Sequence, residues 1–265
     1  MAEAQRASQQ ADASEGADAS VVGVLLVHGL HGGKHDMVEF EAALQKEGML
    51  VRNILLPGHG SNLREQLPVH WEDWTQAVAA ELAKLKQQSD VVFLVGHSLG
   101  GALVLYTAAY EKVAGVVAMC APLHLYPMAE QVVSVVKNIT PFLPVFRDDV
   151  ADPEARRLYQ QRASVPRWVP VQPVESLLQF LPHVRTKLPE VTVPALIMAA
   201  AHDHIVPTRD SYEIYRRLGS QKKHLVTFHR SSHVLMKDYD REAVYARTKA
   251  FIKEQISHSC PPLCL

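Results

Sequence analysis

Three cysteines in 265 residues are too few to build a fold on disulfides. Cys120 closes an apolar run and is expected to be a small core residue. Cys260 and Cys264, in the final HSCPPLCL, are expected as reduced thiols on a tail, although a bond between them is conceivable. Two thiols at that spacing lack the further ligands a zinc site needs. An excess of one charge is missing too: 27 Lys and Arg stand against 28 Asp and Glu, a net charge of −1. No nucleic-acid footprint is therefore expected. No apolar run reaches the roughly 18–20 residues that cross a bilayer. The opening MAEAQRASQQADASEGADAS has no apolar stretch of the signal-peptide kind, so residues 1–20 are expected as a disordered polar tail. The expectation is a cytoplasmic protein without stable membrane anchoring, its oligomeric state left open.

From Val21 onward, short apolar runs alternate with longer stretches of helical period. VVGVLLVHG, LVRNILLPGHG, VVFLVGHSLGG, VAGVVAMCAP, VTVPALIMAAA and KKHLVTFHRSSH read as strands, the most continuous of them buried on both faces. MVEFEAALQKEG, HWEDWTQAVAAELAKLKQQ, the segment after Gly101, Ser211 to Leu218 and EAVYARTKAFIKEQI read as helices. Such an order implies an α/β fold, a mostly parallel sheet with helices on both faces. The rhythm breaks between Pro122 and Glu190, which hold ten of the sixteen prolines and only short helical patterns such as Val132, Val135, Val136 and Ile139. Proline at that density does not run through central strands or helix interiors. Residues 122–190 are therefore expected as a cap inserted between the two parts of one core, 21–121 and 191–258, with 259–265 as a second tail.

Gly96-His97-Ser98-Leu99-Gly100-Gly101 falls between a strand and a helix. The string alone is a weak signal, but its context gives it weight. A turn this tight strains its central residue, and flanking glycines let strand and helix approach. Ser98 would then project above the carboxyl end of its strand, where α/β sheets bind ligands. A serine nucleophile needs a base, and in such an arrangement the acid and then the histidine follow in the chain. His233 stands just past the last strand, whereas His224 and His229 fall within it and His258 lies in the tail. Asp203 is the first carboxylate after LIMAAA. Asp210 reads better as a helix N-terminal residue, and Asp238 follows His233, the wrong order. An oxyanion needs two donors: the backbone N–H of Leu99 at a helix N-terminus and that of Leu30 in the glycine-rich loop after the first strand. His97 is expected as a packing residue. The clusters His28, His31, His35, Asp36 and His202, Asp203, His204 do not reproduce a metallohydrolase motif, so no metal is expected.

HGLHGG after the first strand, LPGHG at 56–60, WEDW at 71–74, GHSLGG, DHIVP and SHV together resemble the bacterial carboxylesterases and monoacylglycerol lipases of the α/β-hydrolase superfamily. The resemblance runs from about Val21 to Ile256. It implies the α/β-hydrolase fold with an inserted cap, a triad of Ser98, Asp203 and His233, and oxyanion amides at Leu30 and Leu99. The chain departs from its relatives at Ala200 and Ser232, where they usually carry glycine.

In the cap, Leu123, Tyr126, Met128, Phe142 and Phe146, with Val206 beside the acid, are the candidate acyl-binding surface. The alternative is that such side chains only pack onto the sheet. The expected activity is hydrolysis of small carboxylic esters of short to medium acyl chain, including monoacylglycerols, without metal or organic cofactor. Other bonds cleaved by the same triad (thioester, amide, lactone or carbon–carbon), acyl transfer, and a ligand sensor with a near-inactive triad stay open as alternatives.

Overall fold

The computed structural model describes residues 20–60, 68–126, 131, 133, 135–136, 139–144, 149–163 and 168–259. The expected tails, apart from Ser20 and Ser259, lie outside the described residues, as do Cys260, Cys264, Met128 and Phe146. The strands are β1 (Val22–Val27), β2 (Leu50–Asn53), β3 (Val91–His97), β4 (Gly115–Met119), β5 (Phe142–Pro144), β6 (Trp168–Pro170), β7 (Ala195–Ala200) and β8 (Lys223–Phe228). Six of them form one sheet in the order β2-β1-β3-β4-β7-β8, with every neighbouring pair parallel. β5 and β6 form a separate antiparallel pair. The helices are α1 (Lys34–Gln45), α2 (Trp71–Lys86), α3 (Leu99–Ala108), α4 (Pro153–Ala163), α5 (Val171–Lys187), α6 (Thr208–Arg217) and α7 (Arg241–Ser259).

Alternation along the central strands divides the interior into two apolar layers, because successive side chains of a strand face opposite ways. Leu25, Val27, Leu94, Val116 and Ile197 pack with Trp74 and Val78 of α2, Leu103 of α3, Phe180 of α5 and Ile214 of α6. Val24, Leu26, Phe93, Val95, Val117 and Met198 pack with Phe40 of α1 and Val244 and Ile252 of α7. Burying one such leucine or phenylalanine contributes about 1.5–3 kcal/mol. Both faces are covered, as an all-parallel sheet requires.

The strand order reverses direction between β1 and β3, so the loops leaving their carboxyl ends diverge around a crevice. The His28–Gly33 loop and Ser98 flank that crevice. Glycine is needed there for contact rather than for flexibility. A Cβ at Gly96 would lie 2.2 Å from the carbonyl oxygen of Gly100, and one at Gly100 would lie 2.1 Å from that of Val27. Both would meet backbone that cannot swing aside. Gly100→Ala should therefore cost about 4 kcal/mol or more, in the range reserved for severe core defects. A chemical denaturation midpoint within error of wild type would refute this packing account.

The proline-rich stretch departs from its expectation of short helical patterns. α5 is a 17-residue helix, with Pro173 in its first turn and Pro182 inside it. An N–H in the first turn has no partner within the helix, so Pro173 costs nothing there. Pro182 removes a single backbone bond. Leu177, Phe180, Leu181 and Val184 are buried along one side, and Phe180 stacks on Trp71 at 5.4 Å between ring centres. Tertiary packing outweighs the local preference.

Candidate active site

Ser98 is the N-cap of α3, with φ 53° and ψ −121°. A non-glycine residue rarely adopts such angles, and the strain is held by its surroundings. The Ser98 N–H donates to the Met119 carbonyl at 2.9 Å, and its own carbonyl accepts from Ala102 N–H at 3.1 Å. The side chain is thus fixed at the start of a helix, with the Leu99 N–H among the first-turn amides that have no acceptor within the helix. The Gly29–Leu30 turn lies directly beside it, since a Cβ on Gly29 would stand 3.2 Å from Ser98 Cβ. The glycine-rich loop at Gly29 and the first turn of α3 therefore both border the serine.

His233 Nδ1 donates to Asp203 Oδ2 at 2.8 Å, and both residues are buried. The other oxygen of Asp203 accepts the N–H groups of Ile205 at 2.9 Å and Val206 at 2.8 Å. The carboxylate is thereby oriented with one oxygen left for the imidazole. Burial alone would push His233 down, but the charge and hydrogen bond of Asp203, joined by the charge of Asp149, hold it above the ordinary histidine value. Burial works against the Asp203 anion, yet His233 and the two amides keep its pKa below the usual carboxylate value.

The residue preceding the serine holds the histidine loop. His97 Nε2 donates to the His233 carbonyl at 2.9 Å, and the two rings lie 4.8 Å apart. Burial and the neighbouring His233 push the His97 pKa down to about 3, so it stays neutral. His28 is likewise pushed down to about 3, chiefly by burial and then by His59. Its Nδ1 donates to the Gly29 carbonyl at 2.9 Å while Nε2 accepts from Leu56 N–H at 3.1 Å. His97 and His28 thus hold loops in shape through neutral rings.

Ala200 and Ser232 need no glycine here. Among the described residues, positive φ outside glycine occurs only at His31, Ser98 and Cys120. Ser232 donates its N–H to Asp238 at 2.8 Å.

The described members of the expected substrate set differ in exposure. Leu123 is fully enclosed in the core, its N–H bonded to Asp210 at 2.8 Å. Val206 is also buried, its amide spent on Asp203. Tyr126 is exposed and donates its hydroxyl to the Asp203 carbonyl at 3.2 Å. Phe142 is half-buried in β5. A cavity of about 330 Å³ opens elsewhere, lined by His35, Asp152, Tyr159, Lys237 and Arg241 among others, and no triad candidate lines it.

Three side chains beside the site were not singled out from the sequence as functional. The Cys120 sulfur, a ring nitrogen of His233 and a carboxylate oxygen of Asp203 lie within 4.8 Å of one another. Burial, then the Asp203 charge, pushes the Cys120 thiol well up, so it stays protonated. Its position just past β4 was legible by the same strand-end reasoning that selected Ser98. Asp149 and Asp238 hold the acid and histidine loops, and no local pattern marks either.

Comparison with known proteins places the chain in a family and a fold. A family described as serine aminopeptidase, S33 matches residues 19–240. A thermostable monoacylglycerol lipase of Bacillus sp. (strain H-257) is 30% identical over 234 residues, 87% of this chain and 90% of that protein. A carboxylesterase of Bacillus subtilis (strain 168) is 26% identical over 235 residues, 87% of this chain and 92% of its own. One solved structure, from work on two metagenome-derived lipolytic enzymes, superposes with a TM-score of 0.82 at 29% identity, covering 89% of this chain and 94% of that one. The α/β-hydrolase fold expected from the sequence is the fold observed.

Proposed function

The chain belongs to the serine aminopeptidase S33 family, and from that premise we propose that it hydrolyses carboxylic esters through an acyl-enzyme on Ser98. Asp203 accepts from Nδ1 of His233, which leaves Nε2 free to take the serine proton. As Ser98 adds to the ester carbonyl, the developing oxyanion is met by the amides of Leu30 and Leu99. His233 then protonates the departing alcohol. Water, deprotonated by the same imidazole, adds to the acyl-enzyme and frees the acid. Each step is an addition, an elimination or a proton transfer that these side chains can perform without a cofactor.

The observation that carries this reading is the strained backbone of Ser98, held open between a strand and a helix N-terminus. The substrate class follows the relatives, a monoacylglycerol lipase and a carboxylesterase, and is an ester of short to medium acyl chain, monoacylglycerols included. Cleavage at a peptide N-terminus would need an acid free to pair with the substrate ammonium. Among the described residues, Asp149, Asp203, Asp210 and Asp238 are each already committed to backbone amides or imidazoles. An ester panel from acetate to palmitate, with monoacylglycerols and aminoacyl anilides, tests the assignment. Turnover should peak among the short and medium esters. Faster turnover of the anilides, or no fluorophosphonate labelling of the folded protein at Ser98, would overturn it.

A further inference from the structure

Asp149 lies between β5 and α4, 84 residues before His233, yet it is 6% exposed and sits against both triad loops. Its Oδ2 accepts the N–H of His204 at 2.9 Å and that of His233 at 3.1 Å. Its Oδ1 accepts from Nδ1 of His204 at 2.7 Å, and its carbonyl accepts from Val234 N–H at 3.1 Å. One carboxylate thus joins the residue after Asp203 to the main chain of His233. A second carboxylate adds to the connection. Asp238, fully buried, accepts the N–H groups of Ala151 at 2.7 Å, Asp152 at 2.9 Å and Ser232 at 2.8 Å. Residues 149–152 are therefore tied to the histidine loop by reciprocal charge-assisted bonds, which are stronger than neutral ones.

We propose that Asp149 is a positioning residue for the Ser98 reaction, fixing the Asp203 loop and the His233 loop in mutual register so that the seating of the inserted segment sets the alignment of acid and base. This rests on Ser98, His233 and Asp203 being the reacting group. A buried carboxylate is costly unless its charge is met, and here every donor it meets belongs to one of the two loops being aligned. Its negative charge also acts on the base. After burial, which lowers the His233 pKa, and Asp203, which raises it most, Asp149 raises it further. The other titratable groups around Asp149 are His204 and Asp203 from the acid loop, Cys120 past β4, Tyr126, Asp238, and Asp152 and Arg156 on its own segment.

Asp149→Asn separates positioning from general support. Asparagine offers one oxygen to three donors and turns an NH₂ toward N–H groups. The expected result is a fall in kcat of about tenfold to a hundredfold, the scale of a small misplacement of reacting groups, with KM little changed. The acid limb of kcat/KM should move to lower pH. Asp152→Ala, which removes the bonds to the Glu154 and Ala155 amides and a 3.9 Å ion contact with Arg241 but none of the bonds to the triad loops, should leave that limb in place. All rates are taken per site titrated with a fluorophosphonate. Unchanged kcat, or a lost kcat with an unmoved acid limb, overturns the proposal. If Asp149→Asn does not fold, Asp149→Glu keeps the charge and should lower kcat with a near wild-type acid limb, and wild-type kcat in that variant overturns it. Wild-type protein that does not label at Ser98 instead defeats the esterase reading itself.

Discussion

Ser98→Ala is expected to lower p-nitrophenyl ester hydrolysis by about 10⁴- to 10⁶-fold while the protein stays folded. The upper figure is the scale seen when a triad nucleophile is deleted, and the floor is set by the residual catalysis of binding and oxyanion donors. Alanine keeps the Cβ and therefore the strain at φ 53°. Glycine does not. Ser98→Gly should be as inactive as the alanine variant but more stable than it, because glycine reaches positive φ freely. Strain of this kind costs about 1–3 kcal/mol, against roughly 0.5–1 kcal/mol for the added freedom of glycine in the unfolded chain. The pair of variants thus tests whether the turn is held at the expense of stability in order to present a hydroxyl. Rates within tenfold of wild type in purified alanine variant, or an alanine variant more stable than the glycine one, would contradict it.

How much of this was legible beforehand depended on whether the signal was local. Strand and helix periods marked the sheet because each central strand is apolar on both faces, and the glycines around Ser98 are fixed by contacts within a few residues along the chain or with the adjacent strand. The order of acid and base follows the order of strands, so Asp203 and His233 could be assigned by position. α5 was not legible, because Pro182 reads as a helix breaker and only the burial of Phe180 and its neighbours against α2 and α3 overrides that. The apolar character of Leu123 fits a binding wall and a core equally, and its enclosure decides for the core. Asp149 was invisible for a deeper reason. Its partners are 55 and 84 residues away, and an aspartate in a loop carries no mark of what folds against it.

The sharpest demand on the site is at the acid, where Asp203→Asn should reduce kcat by about 10⁴-fold, the loss attending the same change in a triad whose histidine then takes the wrong tautomer. The structure says why an asparagine could not adapt. Oδ1 of Asp203 is fixed by the amides of Ile205 and Val206, so the oxygen of an asparagine would stay there and its NH₂ would face His233. Nδ1 must then accept rather than donate, and the ring proton moves to Nε2, the nitrogen that should receive the serine proton. The pH dependence follows with a definite sign. In the wild-type protein the base must be neutral, and its pKa lies above the ordinary 6.5 because Asp203 outweighs burial. Activity should therefore rise with pH through a limb above 6.5. Without the carboxylate, burial dominates and the limb moves to lower pH, even as the plateau collapses. A variant that keeps more than a tenth of wild-type kcat, or whose acid limb moves upward, would mean that His233 is oriented by some group other than Asp203.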